Sequence, residues 1–242
     1  MILSVDIEKK TFPTPDGGER IVLEGLRFSL AEREIVAIVG PSGCGKTTLL
    51  KLIGGLDPHF QGRIAWGNGR LPRVGTVFQE PRLLPWRTVR QNVELVLPAD
   101  FPAGATEQAL EAVGLSNQRD AYPAQLSLGM ARRVAIARAF AIEPEIVLMD
   151  EPFVSLDAST AEQSRGVLLA AWNRRPTAAL LVTHDLVEAA SLADRILTLS
   201  VGPARIASDV PVPTELRRKG GEAAAHFVAA LREAAGKRAA PA

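Results

Sequence analysis

The sequence predicts an α/β fold with a largely parallel central sheet and a helical insertion. Three observations carry this expectation. Residues 35–39 (IVAIV) and 145–149 (EIVLM, apolar after Glu145) are short apolar runs, the pattern of strands buried on both faces. Strand and helix patterns alternate after the second run, which requires crossover connections and hence parallel strands. Between the two runs, residues from about 87 to 142 are patterned as helix, punctuated by Pro98, Pro102 and Pro123.

The elements follow in chain order. Residues 2–8 alternate apolar and polar, as a half-buried strand does, and 11–19 (TFPTPDGGE) read as a turn. Residues 20–30 alternate again through Ile21, Leu23, Leu26, Phe28 and Leu30. After IVAIV come a glycine-rich turn and a helix through Leu52, then short strands at 62–66 and 73–78. Beyond EIVLM the expected order is helix 158–174, strand 178–182, helix 185–193 and an edge strand at 195–200. An Ala-rich helix at 222–236 carries Phe227, Val228 and Leu231 on one side.

Composition excludes several classes. The chain has 242 residues, enough for one large domain, with 47% apolar and 23% charged residues. A net charge of +1 offers no bulk attraction to nucleic acid, so no nucleic-acid partner is expected. The single cysteine, Cys44, excludes an internal disulfide and fits a reducing compartment. No stretch reaches the roughly 18 apolar residues of a membrane span, and MILSVDIEKK does not read as a signal peptide. His59 and His226 have no evident partner and are expected on the surface.

The chemistry concentrates in a few segments. Gly40-Pro41-Ser42-Gly43-Cys44-Gly45-Lys46-Thr47 is a phosphate-cradling loop in its required place between a buried strand and a helix. Its glycines let backbone N–H groups face a phosphate, and the helix that continues through Thr48 adds its positive end. Lys46 is expected to reach the β- and γ-phosphates of ATP, and the Thr47 hydroxyl to bind Mg²⁺. Asp150 and Glu151 close the IVLM strand at its C-terminal end, where open α/β sheets bind ligands. Asp150 suits the Mg²⁺ shell, and Glu151 suits the general base that polarises the attacking water.

Further motifs resemble a known family. Leu126-Ser127-Leu128-Gly129-Met130 looks like the ABC signature, usually L-S-G-G-Q, and the helix after it ends at Ala139, 11 residues before Asp150. Val77-Phe78-Gln79-Glu80 resembles the Q-loop strand, Ser155-Leu156-Asp157 the D-loop, and Thr183-His184-Asp185 the switch histidine. The resemblance implies a P-loop NTPase of ABC type with a largely parallel central sheet, an N-terminal antiparallel β subdomain and an inserted α-helical subdomain, residues 1–242 forming a single ABC ATP-binding domain. It implies that Gln79 reaches the Mg²⁺ and the attacking water, and that His184 holds the γ-phosphate or that water. Ser127 and Gly129 then meet the nucleotide of a second copy in an ATP-bound homodimer, and Asp157 connects the two sites. Read without the family, Ser127 is a helix N-cap and His184 a packed histidine. Phe12 is the candidate that stacks on adenine; its other reading is cover for the core edge. Leu128 stands where the family has glycine, so its side chain is expected to restrict the backbone or crowd the dimer contact.

Residues 78–93 look closely like importer ATPases for nitrate, sulfonates and taurine. That likeness implies transmembrane permease subunits docked around Arg82–Arg87, with Leu83, Leu84 and Trp86 as contacts, and an extracytoplasmic solute-binding protein in the full complex. It also implies a cytoplasmic chain held at the inner face of the membrane through the permease. Two other classes compete. The runner-up is a soluble non-transport ABC ATPase, against which stand the lack of long coiled coils and of a second P-loop in the sequence; an exporter or lipid-trafficking ATPase is a subsidiary alternative.

Overall fold

The computed structural model describes residues 1–219 and 221–239. The chain divides into two compact units, Met1–Gly69 with the chain from Leu180 on, and Arg70–Ala179.

In the first unit, β1 (Leu3–Pro13) pairs antiparallel with β2 (Glu19–Leu30) on one side and with β4 (Gln61–Trp66) on the other. Inward residues of β1 alternate as the sequence predicts, with Leu3, Val5 and Ile7 buried. β3 (Ile35–Val39) is buried at every residue and leads through residues 40–45 into α1 (Lys46–Ile53). β7 (Ala178–Thr183), in which the chain passes from the second unit back to the first, neighbours β3. On its other side β3 pairs in parallel with β8 (Arg195–Leu199), and β8 pairs antiparallel with β9 (Ile206–Pro211). The strand set is therefore mixed. α6 (Leu186–Leu192) packs on β3, and α7 (Thr214–Lys219) and α8 (Gly221–Ala239) pack on α6. Ala224 and Val228 of α8 are buried.

The second unit holds the parallel pair β5 (Val74–Val77) and β6 (Ile146–Asp150) with four helices: α2 (Val89–Glu94), α3 (Ala105–Ala112), α4 (Leu128–Ala141) and α5 (Ala158–Arg174). α4 packs against α2, α3, α5 and β5, so it is apolar nearly all round, with Val134, Ala135, Ile136, Ala137 and Ala139 buried.

Three sequence expectations change. β1 runs on through Pro13, so Phe12 lies inside the strand, paired with Arg20, rather than after it. The strand at 195–200 is not an edge, because β9 covers it. Leu128 has no positive φ; as the first residue of α4 it fits the backbone, so only the expected crowding of a contact remains. No helix among the described residues is long and apolar enough to cross a membrane.

Candidate functional site

In the first unit the loop after β3 closes around its own lysine. Lys46 is buried, and its Nζ donates to the carbonyls of Gly40 (2.7 Å) and Pro41 (3.0 Å). Gly45 makes this closure possible. Its φ is 116°, and a Cβ there would sit 2.6 Å from Leu23 Cδ2 and 2.9 Å from Val22 Cγ1. The N-cap of α1 is Gly45, which has no side chain to cap the helix, the arrangement that suits a phosphate oxygen. Thr47 is exposed in the first turn and Thr48 half-buried. Cys44 is buried at 4% exposure. Beside the loop lies a cavity of about 340 Å³ lined by Arg20, Ile21 and Val22, by the loop residues Pro41–Cys44, and by Val201–Pro203.

Phe12 does not line this cavity. It sits on the neighbouring strand opposite Arg20, 40% exposed, with Lys10 Nζ 4.6 Å from its ring centroid. Lys10 is itself buried and held by Asp57 (2.7 Å) and the His59 carbonyl (2.7 Å), so one face of the Phe12 ring is taken. His184 is exposed just after β7. The backbone around it is fixed on both sides: Asp185 N donates to Thr183 Oγ1 (3.1 Å), and Asp185 Oδ1 accepts from Val187 N (2.8 Å) as the cap of α6.

In the second unit Asp150 ends β6 with a buried side chain, and Glu151 follows with φ 44°. Ser155 is also left-handed, with φ 63°. Asp157 caps α5, accepting from Thr160 N (3.0 Å), Ser159 Oγ (2.6 Å) and Thr160 Oγ1 (2.6 Å). The Ser159 and Thr160 hydroxyls hold its carboxyl well below the usual carboxylate range. Ser127 caps α4 by accepting from Met130 N (3.2 Å), so the plain capping reading holds for it whatever else it does. Gly129 is buried against Thr160: a Cβ there would come closer than 3.0 Å to Thr160 Cγ2. The signature turn and the D-loop cap are thus packed together inside one unit. Leu128 is 47% exposed beside them.

The segment from Gln79 to Asn92 is shaped by one buried amide. Asn92 Oδ1 accepts from Leu84 N (2.7 Å), and its Nδ2 faces the carbonyls of Leu84, Arg87 and Thr88 at 3.0–3.2 Å. Arg87 N donates to Leu84 O (3.1 Å), closing a turn with Pro85 in its second position. This turn carries Trp86 outward to 69% exposure, which excludes packing of Trp86 inside the helical subdomain; Leu83 and Leu84 are half-buried. Gln79 is exposed, and Arg82 (φ 47°) stacks its guanidinium 4.3 Å from the Phe78 ring centroid.

Sequence reasoning missed Asn92, Arg132 and Arg138. Arg132 and Arg138 lie on the apolar helix α4 and donate to backbone carbonyls. The available signal was a charged residue at a core-facing position of that helix.

Comparison with known proteins gives a consistent picture. The family model described as "ABC transporter" matches residues 23–154. The chain is 43% identical over 219 residues to the aliphatic sulfonates import ATP-binding protein SsuB 2 of Burkholderia lata, covering 87% of this chain and 77% of the relative. It is 41% identical over 219 residues to the aliphatic sulfonates import ATP-binding protein SsuB of Bacillus subtilis, covering 88% and 85%. Among solved structures it resembles the dimeric post-hydrolysis state of the ATP-binding cassette MJ0796 bound to ADP and Pi, at 27% identity and a TM-score of 0.75, over 88% of this chain and 99% of that one.

Proposed function

The chain belongs to the ABC transporter family, and from that premise we propose that it is the ATP-hydrolysing subunit of an importer for small organic anions of the sulfonate class. The observation that carries the ATPase part is the closed loop around Lys46, whose ammonium already sits inside a ring of backbone between a buried strand and an uncapped helix. The names of the relatives support import and the solute class.

In this reading Lys46 exchanges its carbonyl partners for the β- and γ-phosphates, cradled by the backbone of Gly40–Thr48. Glu151 draws the proton of the attacking water, while Gln79 and His184 hold that water and the γ-phosphate. The Thr47 hydroxyl, the Gln79 amide oxygen and the Asp150 carboxylate would hold Mg²⁺, since all three are the oxygen donors that ion takes. When bound, Mg²⁺ offsets charge on the phosphate oxygens. Ser127 and Gly129 serve the nucleotide of a second copy, and Asp157 orders the turn beside them; the dimeric relatives support this pairing. Phe12 offers adenine the ring face that Lys10 leaves open. Trp86, carried outward on its turn, docks the permease, which holds the chain at the cytoplasmic face of the membrane; a solute-binding protein feeds the complex from the other side.

The test has two arms. Lys46→Ala should lose ATP affinity and turnover together, because a fixed charge leaves the phosphates. Cells lacking the chain should lose uptake of a radiolabelled alkanesulfonate and regain it with the wild-type chain but not with Lys46→Ala. Equal hydrolysis by the variant removes the loop assignment; unchanged sulfonate uptake removes the solute class.

A further inference from the structure

Helix α4 carries three arginines that donate to backbone carbonyls: Arg133 reaches Val113 O (3.2 Å), while Arg132 and Arg138 each grip a turn. Arg132 is 3% exposed. Its Nη1 donates to the carbonyls of Glu151 (3.2 Å) and Pro152 (2.9 Å), and its Nη2 to that of Val154 (2.7 Å). Its Nε has no hydrogen-bond partner among the described residues. One side chain therefore grips three of four successive carbonyls while leaving one of its own donors unmet. Arg138, six residues along the helix, donates to the carbonyls of Arg82 (2.9 Å) and Pro81 (2.8 Å).

Both gripped segments hold residues in the left-handed region, which a Cβ disfavours. They are Glu151 and Ser155 in the first and Arg82 in the second. Such conformations persist only where their surroundings enforce them. Pinning the Glu151 carbonyl fixes the peptide plane on its C-terminal side, and the carbonyls of Pro152 and Val154 fix the turn that follows. The direction in which the Glu151 carboxylate leaves the chain is thereby set from a neighbouring helix. Burial pushes both guanidinium pKa values down, yet arginine stays charged and presents a planar fork of donors. Lysine, a point charge on a flexible stem, does not reproduce that fork.

We propose that Arg132 is a positioning residue for ATP hydrolysis: by holding the carbonyls of Glu151, Pro152 and Val154 it fixes the turn that aims the Glu151 carboxylate, whereas Arg138 secures the separate turn at Pro81–Arg82. The inference rests on Glu151 being the general base.

A double-mutant cycle tests it on the full chain, with kcat normalised to ATP-binding sites so that any unfolded fraction drops out. Arg132→Lys keeps the buried charge and should lower kcat by ~10- to 100-fold, the scale of a misaimed catalytic group, with little change in ATP affinity. In a Glu151→Gln background the same substitution should change the residual rate less than ~2-fold, because there is no base left to aim. Arg138→Lys is the matched control, and its effect should be the same fold-change in both backgrounds. Wild-type kcat in Arg132→Lys, or an equal fold-loss with and without Glu151, overturns the positioning role. Near-normal turnover by Glu151→Gln alone removes the base itself, and the proposal falls with it for that separate reason.

Discussion

Gly129→Ala isolates the contact between the signature turn and the D-loop cap. The added Cβ would lie closer than 3.0 Å to Thr160 Cγ2, where ordinary contact begins near 3.4 Å. Thr160 cannot swing aside cheaply, because its hydroxyl and its N–H are both bound to Asp157. The N-terminal ends of α4 and α5 must therefore part by up to about 1 Å. Overpacking of this kind costs ~1–3 kcal/mol, and alanine returns up to ~1 kcal/mol through its helix propensity. The net loss of ~1–2 kcal/mol corresponds to a melting temperature lower by ~2–8 °C in a chain of this size. Activity should fall further than stability, since Ser127 moves with the end of α4. The decisive variant is Gly129→Ala with Thr160→Ser. Serine keeps the hydroxyl for Asp157 and removes the methyl that clashes, so both melting temperature and turnover should return most of the way. A melting temperature unchanged in the single variant, or unrescued in the double, refutes the steric account.

Other variants probe separate elements. Trp86→Ala should leave thermal melting within the ~0.5 kcal/mol of a surface change while weakening co-purification with the permease by ~2 kcal/mol or more; a clear drop in melting temperature contradicts the exposed turn. Asn92→Ala should do the reverse, costing the free chain ~1–3 kcal/mol because the carbonyls of Leu84, Arg87 and Thr88 lose their buried donor, as read by urea unfolding. The Asp157 carboxyl is lowered in the folded chain, so its stabilisation is full above the unfolded value of about 4 and fades as pH falls. Asp157→Asn should therefore melt below wild type at pH 7, with the gap closing on acidification below about pH 4; a gap that widens there contradicts the cap. Cys44, the one thiol, should react with a maleimide far more slowly in the native chain than in urea, and equal rates would mean that the loop is open.

The parts of the molecule set by local pattern were legible in the sequence. The apolar runs became β3 and β6, and glycines at fixed offsets marked the loop that Lys46 closes. α5 has the bounds expected from its periodicity. What escaped depends on partners distant in sequence. β9 alternates half-buried and exposed positions, but its residue types (IASDVP) do not alternate with them, and its place beside β8 is a tertiary fact. Arg132 and Arg138 received no role because their acceptors, backbone carbonyls 19–57 residues away, leave no trace in residue type. The concern over Leu128 came from comparing residue types alone. At its position the backbone is helical and tolerant, and the intolerant position is Gly129 next to it.

The central claim is that ATP is hydrolysed by Glu151 and, before hydrolysis, joins two copies of this chain. Light scattering of Glu151→Gln with and without Mg-ATP, with phosphate release followed in the same sample, tests it most directly. The account predicts a doubling of the 25.9 kDa mass on adding nucleotide, with hydrolysis slowed by at least ~100-fold. A variant that stays at single mass with ATP bound, or that releases phosphate at the wild-type rate, contradicts it.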